Sequence, residues 1–255
     1  MHTFLSISEF LLAACAAIGA SSATADVLFV DTFDAGASAQ WQNEWGDWVA
    51  IDGLYDALQP SNFPSARSSL PFELMNFSVE FDVNDVTDGG IWLHSAAAPG
   101  TAIGAKGVLL VTKGTSLYWH VVPDGSSYGS IINNASNVFA AGSDPHIRVD
   151  VCGPTYAAFV NGSTTPATIL TDTTFTVGRV ALYDFSVQTF DNVVVEVMAT
   201  NADLDGDGQV GGADLGALLA GWGPCQPGQL CVGDLNCDGV VDGADLGALL
   251  GAWSG

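Results

Sequence analysis

The sequence predicts a mainly β protein, an antiparallel two-sheet sandwich followed by a small α module. Three observations predict this. Short runs of alternating apolar and polar residues recur through residues 26–198 with turn residues between them, the period-two signature of half-buried strands. No long amphipathic helical pattern interrupts them. Near the C-terminus the texture changes, and one short unit is written twice: Asp203 to Trp222 reads DLDGDGQVGGADLGALLAGW, and Asp234 to Trp253 reads DLNCDGVVDGADLGALLGAW, starting 31 residues later. The chain of 255 residues, 48% hydrophobic, divides into residues 1–25, 26–198 and 199–255, enough for one sizeable core plus a small module.

Residues 1–25 carry the features of an export signal. Phe10 to Ala20 is apolar but too short to span a bilayer, and Ala23-Thr24-Ala25 offers a small-x-small cleavage site before Asp26. Leu12-Ala-Ala-Cys15 admits a second reading as a lipoprotein box. No other stretch is long enough for a membrane span, so the expected location is secreted, extracellular or at the cell surface. A net charge of −23 with only five Lys and Arg argues against nucleic acid or an anionic membrane as partner.

The strands follow in order. Ser78 to Val83 alternates with Val79, Phe81 and Val83 on one face, and His146 to Val151 repeats the pattern. Val108–Val111 and Leu117–Val122 flank a Lys113-Gly114-Thr115 turn. Tyr156–Val160 runs into Asn161-Gly162, a hairpin turn signal. Val177–Tyr183 and Phe190–Val197 close the domain. Two packed sheets are the natural solution for such a run of strands. With Asp31-Thr-Phe-Asp34, Trp48 to Gly53, Phe77 to Phe81, Gly90 to Leu93, Gly178 to Tyr183 and Phe190 to Val193, the domain resembles the concanavalin A-like, or laminin-G-like, jelly roll. That resemblance implies a fold shared by lectins, carbohydrate-binding modules, adhesion domains and glycosidases, so it leaves the activity open.

Two kinds of site are weighed on this domain. Glu80, Asp82 and Asp85 resemble the carboxylate strand of laminarinase-type glycosidases, with Asp in the third place. On a regular strand Glu80 and Asp82 share one face and Asp85 takes the other, so a β-bulge would have to align them. The simpler reading is a solvent face running into a turn, which makes the domain non-catalytic. His94, His120 and His146 stand singly on their strands, with no catalytic or metal spacing around them. Flat aromatic faces stack sugars, so Trp41, Trp45, Trp92 and Trp119 are candidate glycan contacts, with core packing as the competing role. Trp48 is weighed with them, while Trp222 and Trp253 are read as packing residues at the ends of the two C-terminal helices.

The duplicated unit has oxygen side chains at positions 1, 3 and 5, Gly at 6, an apolar residue at 8 and Asp at 12. This is the ligand spacing of an EF-hand-type calcium loop, and Ca²⁺ needs six to eight oxygens. The expected ligands of one ion are Asp203, Asp205, Asp207, the carbonyl of Gln209, and Asp214. Those of a second are Asp234, Asn236, Asp238, the carbonyl of Val240, and Asp245, with Asp242 reaching the ion directly or through water at position 9, where the first copy has Gly211. Val210 and Val241, at position 8, are expected to pair the loops as a short strand. No helix precedes either loop. One apolar helix follows each, expected to pack through Leu215, Leu218, Leu219, Leu246, Leu249 and Leu250.

Two loop–helix repeats with Asp at position 12 resemble the dockerin module over residues 203–253. The resemblance implies a pseudo-twofold module folded by two Ca²⁺ ions that docks onto a cohesin domain of another protein. Positions 10 and 11, hydroxyl residues in well-known dockerins, are here Gly212-Ala213 and Gly243-Ala244, and the module has no Lys or Arg. The whole chain thus reads as a non-catalytic, carbohydrate-binding protein anchored to a cohesin-bearing partner. Two alternatives stand beside it: a glycoside hydrolase of a polysaccharide-degrading complex, and a surface structural protein whose calcium serves its own stability. In an exported chain Cys152, Cys225, Cys231 and Cys237 are expected to form disulfides, one of them local to the connector between repeats. Three pairings are open, and zinc is a poorer match to the spacing.

Overall fold

The computed structural model describes residues 26–198 and 201–254; the expected export signal and Cys15 lie outside them. The first domain holds fourteen strands among the described residues: β1 (Asp26–Asp31), β2 (Trp48–Ile51), β3 (Leu54–Ala57), β4 (Ala66–Ser69), β5 (Phe77–Asn84), β6 (Asp88–Ala97) and β7 (Ala105–Lys113). There follow β8 (Ser116–Val122), β9 (Ile132–Ala135), β10 (His146–Cys152), β11 (Thr155–Val160), β12 (Thr168–Thr171), β13 (Arg179–Asp184) and β14 (Thr189–Val197). The larger sheet runs β12-β11-β10-β5-β14-β3-β2, with β1 also paired to β14. The smaller runs β4-β13-β6-β7-β8-β9. Every pairing is antiparallel. The expected two-sheet sandwich is what forms.

Alternation builds the core. Along β5, Phe77, Val79, Phe81 and Val83 are wholly buried, whereas Ser78, Glu80, Asp82 and Asn84 are half-buried on the outer face. Ile147, Val149 and Val151 do the same on β10. From the smaller sheet Leu93, Leu110, Trp119 and Leu182 meet them. Burying each such side chain contributes about 1.5–3 kcal/mol. The Asn161-Gly162 turn forms, both residues at positive φ, but β12 starts only at Thr168, so the connection is wider than a two-residue hairpin.

Most of the tryptophan candidates are core. Trp41, Trp92 and Trp119 are buried, as is Trp48. Each hidden indole N–H has a partner: Trp41 donates to Asp31 Oδ2 (2.9 Å), Trp92 to Ser65 Oγ (3.2 Å) and Trp119 to Thr168 Oγ1 (3.1 Å). That is how a large aromatic ring is accommodated in an interior. Of the five tryptophans in the sandwich, only Trp45 is exposed.

The C-terminal module contains α1 (Gly212–Ala220), β15 (Gly223–Pro224), β16 (Val240–Val241) and α2 (Gly243–Gly251). Val210 and Val241 do not pair with each other. Val241 faces Gly223, just after α1, and Val210 exchanges hydrogen bonds with Ser254, just after α2. Each loop is therefore tied to the end of the other repeat. The helix faces also divide differently from expectation. Leu218 and Leu249 are wholly buried with Val241, Leu235 and Ala202, while Leu215 and Leu246 pack partly against them. Leu219 (49% exposed) and Leu250 (51%) point outward, as do Trp222 (51%) and Trp253 (40%). One buried leucine per nine-residue helix suffices to close so small a core.

Two disulfides settle the pairing. Cys225–Cys231 is the local staple, and Cys152–Cys237 joins the end of β10 to position 4 of the second loop. Gly153, at φ +53°, allows the approach: a Cβ there would lie 2.2 Å from the Cys237 carbonyl oxygen. Gly228 N–H donates to Thr171 Oγ1 (2.9 Å) nearby. Among the described residues no helix is long and apolar enough to cross a membrane.

Candidate functional site

The paired loops share one hydrogen-bond pattern. In the first, Asp214 Oδ1 accepts from the Leu204 and Asp205 amides and Oδ2 from Gly211 (2.7 Å). In the second, Asp245 Oδ1 accepts from Leu235 and Asn236 and Oδ2 from Asp242 (2.8 Å). Asp203 Oδ2 accepts from Gly208 and Asp234 Oδ2 from Gly239, each at 2.9 Å. These glycines sit at φ +87° and +90°, where the loop reverses. Position 12 thus wraps the loop around a carboxylate at the first turn of the helix. Asp242 instead places Oδ1 on the Ala244 amide (2.7 Å), capping α2.

The loops concentrate negative charge in a small volume. Asp214 and Asp245 are almost wholly buried and Asp234 is 7% exposed, and no Lys or Arg exists in the module. The backbone N–H of Gly211, followed by those of Asp205 and Leu204, holds the Asp214 carboxyl below its ordinary range. Burial pushes Asp234 up, opposed by the Gly239 and Asp238 amides and reinforced by the carboxylates of Asp245 and Asp238. Carboxylate oxygens of Asp203, Asp205 and Asp214 lie within 4.8 Å of one another, the spacing available to oxygens held about 2.3–2.6 Å from one Ca²⁺. The donor set fits a hard divalent cation. Cys225, Cys231 and Asp234 also cluster, but that cysteine pair is a disulfide.

The glycosidase carboxylates separate. Glu80 and Asp82 share the outer face of the larger sheet, where His146 lies between them: Nδ1 is 2.7 Å from Asp82 and Nε2 3.3 Å from Glu80. Asp85 lies past the strand end at φ +53°, its amide bonded to Asp144. β5 keeps regular alternation with no bulge of its own, so the three carboxyl groups are not brought together. His146 is not solitary after all, because its partners come from a neighbouring strand. His94 is buried and bonded through both ring nitrogens, to Tyr156 and Met75.

A second cluster covers the outer face of the smaller sheet. Tyr118 and His120 alternate outward on β8 while Trp119 points inward. Their rings meet edge to face at 5.4 Å, and Tyr128, from the 123–131 loop, lies 5.7 Å from His120. Asp88 and Lys113 form an ion pair at 2.7 Å beside them. Together they line a cavity of about 110 Å³ with Asn62 and Tyr183. The period-two pattern Leu117-Tyr-Trp-His-Val-Val was the available signal for Tyr118 and His120. Tyr128 reaches them only through the fold. Trp45 lines a separate open hollow with Glu44, Asp47 and Gln59.

No protein-family model and no curated protein matches this chain. Solved structures do. The carbohydrate-binding module CBM66 from Bacillus subtilis aligns at 16% identity over 62% of this chain and 95% of its own, with a TM-score of 0.51. The sandwich shares that fold. A putative glycosyl hydrolase from Parabacteroides distasonis ATCC 8503 aligns at 13% identity over 66% and 91% of the two chains (TM-score 0.47). A Bacillus subtilis protein of unknown function with a galectin-like fold aligns at 8% over 67% and 96% (TM-score 0.47).

Proposed function

We propose that this is an exported, non-catalytic recognition protein: a glycan-binding sandwich carried on a calcium-dependent, dockerin-like docking module. The repeated hydrogen-bond pattern of the two loops carries the calcium part. Asp203, Asp205, Asp207, Asp214 and the Gln209 carbonyl would hold one Ca²⁺. Asp234, Asn236, Asp238, Asp245 and the Val240 carbonyl would hold another. The ions would neutralise buried carboxylates and lock each loop onto its helix. Docking is supported by the exposed Leu219 and Trp222 of the first repeat and Leu250 of the second, apolar side chains at matching repeat positions that a cohesin domain could cover. The glycan part rests on the fold shared with a carbohydrate-binding module and on the half-buried aromatic cavity.

The test is calcium titration of the oxidised full chain by calorimetry, followed by capture on immobilised cohesins with and without chelator. The expected stoichiometry is two ions, falling to one in either Asp214→Ala or Asp245→Ala, with capture lost on chelation. Absence of calcium binding overturns the module assignment.

One observation favours a second reading. Cys152–Cys237 clamps the second loop to the sandwich, as a module serving intramolecular stability requires. Calcium binding without capture by any cohesin would select that reading.

A further inference from the structure

The cavity beside Tyr118 and His120 has a shape and chemistry that narrow its ligand, given the glycan-binding reading on which the following rests. Most of its wall is aromatic or aliphatic, with Asp88 and Lys113 at one side. Burial raises the Tyr118 and Tyr128 hydroxyl pKa values, that of Tyr128 to about 12, and lowers that of His120, leaving the imidazole neutral at neutral pH. His120 Nδ1 faces the Ser130 carbonyl at 3.2 Å, which anchors the ring in the wall. The one charged pair, Asp88 with Lys113, is internally neutralised yet offers acceptor and donor atoms side by side. C–H faces of a sugar ring match the aromatic wall and its hydroxyls match the polar pair. The chain's net charge of −23 repels acidic chains.

Size and walls decide how much of a glycan enters. About 110 Å³ is well below the ~300–1,000 Å³ of pockets that engulf a drug-sized ligand, and so fits a single ring. The cavity is closed on one side, where two loops are stitched together over the sheet. Tyr128 donates from its hydroxyl to the Asn62 carbonyl (3.0 Å), and its ring meets that of Phe63 at 5.7 Å. A chain crossing the sheet would meet that wall.

We propose that this cavity binds the terminal ring of a neutral glycan chain, with Tyr118, His120 and Tyr128 as its apolar wall and Asp88 and Lys113 as its hydroxyl partners.

The test uses the oxidised full chain in calcium against immobilised neutral oligosaccharides differing in their terminal residue, with free monosaccharides as competitors. Binding should follow the terminal residue and be competed by the matching monosaccharide. Tyr118→Ala and His120→Gln should each weaken it at least tenfold, with circular dichroism and the thermal midpoint of the half-buried Tyr118 variant unchanged, whereas Trp45→Ala should leave it intact. Binding that survives both cavity variants but is lost in Trp45→Ala would overturn the site and leave the glycan-binding reading standing. Equal binding to chains whose ends are blocked would overturn terminal recognition. No binding across the neutral panel would remove the inference, and if acidic glycans also fail to bind, the glycan reading falls with it.

Discussion

Asp184 shows how one residue can be read in energetic terms. It ends β13, wholly buried, with Oδ2 lacking any hydrogen-bond partner. Burial pushes its carboxyl to about 7, opposed by the Ser186 amide and reinforced by the nearby charges of Asp56 and Asp88. The folded state therefore retains a proton that the unfolded chain has released above pH ~4. Stability attributable to this group should fall as pH rises from about 4 to about 7, by at most about 1.4 kcal/mol per pH unit, and then level off. Urea unfolding in saturating calcium across that range should show a flatter slope in Asp184→Asn; an unchanged slope would remove Asp184 from this role. Nothing in the local sequence Leu182-Tyr-Asp-Phe marks the residue, since it is enclosed between β4 and β6, which pair it through Ala66 and Gly89. The loop carboxylates are the opposite case. Their roles depend on spacing within twelve residues, so they can be read from the chain directly.

Helices α1 and α2 are short and nearly identical, and each divides its leucines between two environments. Leu218 is wholly buried while Leu219 is half exposed. Leu218→Ala should destabilise the calcium-loaded module by about 2–4 kcal/mol, read as a shift of its thermal transition. Leu219→Ser should leave that transition in place but weaken capture by any docking partner. If Leu219→Ser destabilised as much as Leu218→Ala, the outward face would be core by another route. The strands with clear alternation were legible, β5, β8, β10 and β14 among them. β4 was not. Its sequence Ala-Arg-Ser-Ser is polar yet buried, made tolerable by partners far away: Tyr55 bonds Ser68 at 2.9 Å, while Glu44 receives the Ser69 amide at 2.9 Å and lies 3.7 Å from Arg67. A strand whose polar side chains meet their partners mainly in distant residues, Arg67 Nε remaining without one, has no periodic signature.

At the scale of the molecule, the connection between the modules is the feature no local pattern reveals. Four cysteines allowed three pairings, and the long-range one closes a loop of 85 residues. Cys152→Ser should lower the calcium affinity of the second loop more than that of the first, measured by titration with site-resolved variants. Equal effects on both loops would show that the tether acts on the whole module. Gly153→Ala should mimic this loss, because the added Cβ has no room beside Cys237. The two-sheet architecture, by contrast, was legible from strand count and the lack of long helices.

The same covalent bond has a mechanical meaning. A load applied through a docked C-terminal module would not have to pass through the single chain leaving β14. It would enter the sandwich at the end of β10, a strand hydrogen-bonded on both sides by β5 and β11. Force would then be shared laterally across the sheet and would bypass the inter-module connector. In an oxidising medium the protein would hold under tension as one body; reduction would shift the whole load to the connector and to the C-terminal end of β14, which β1 and β5 hold on either side.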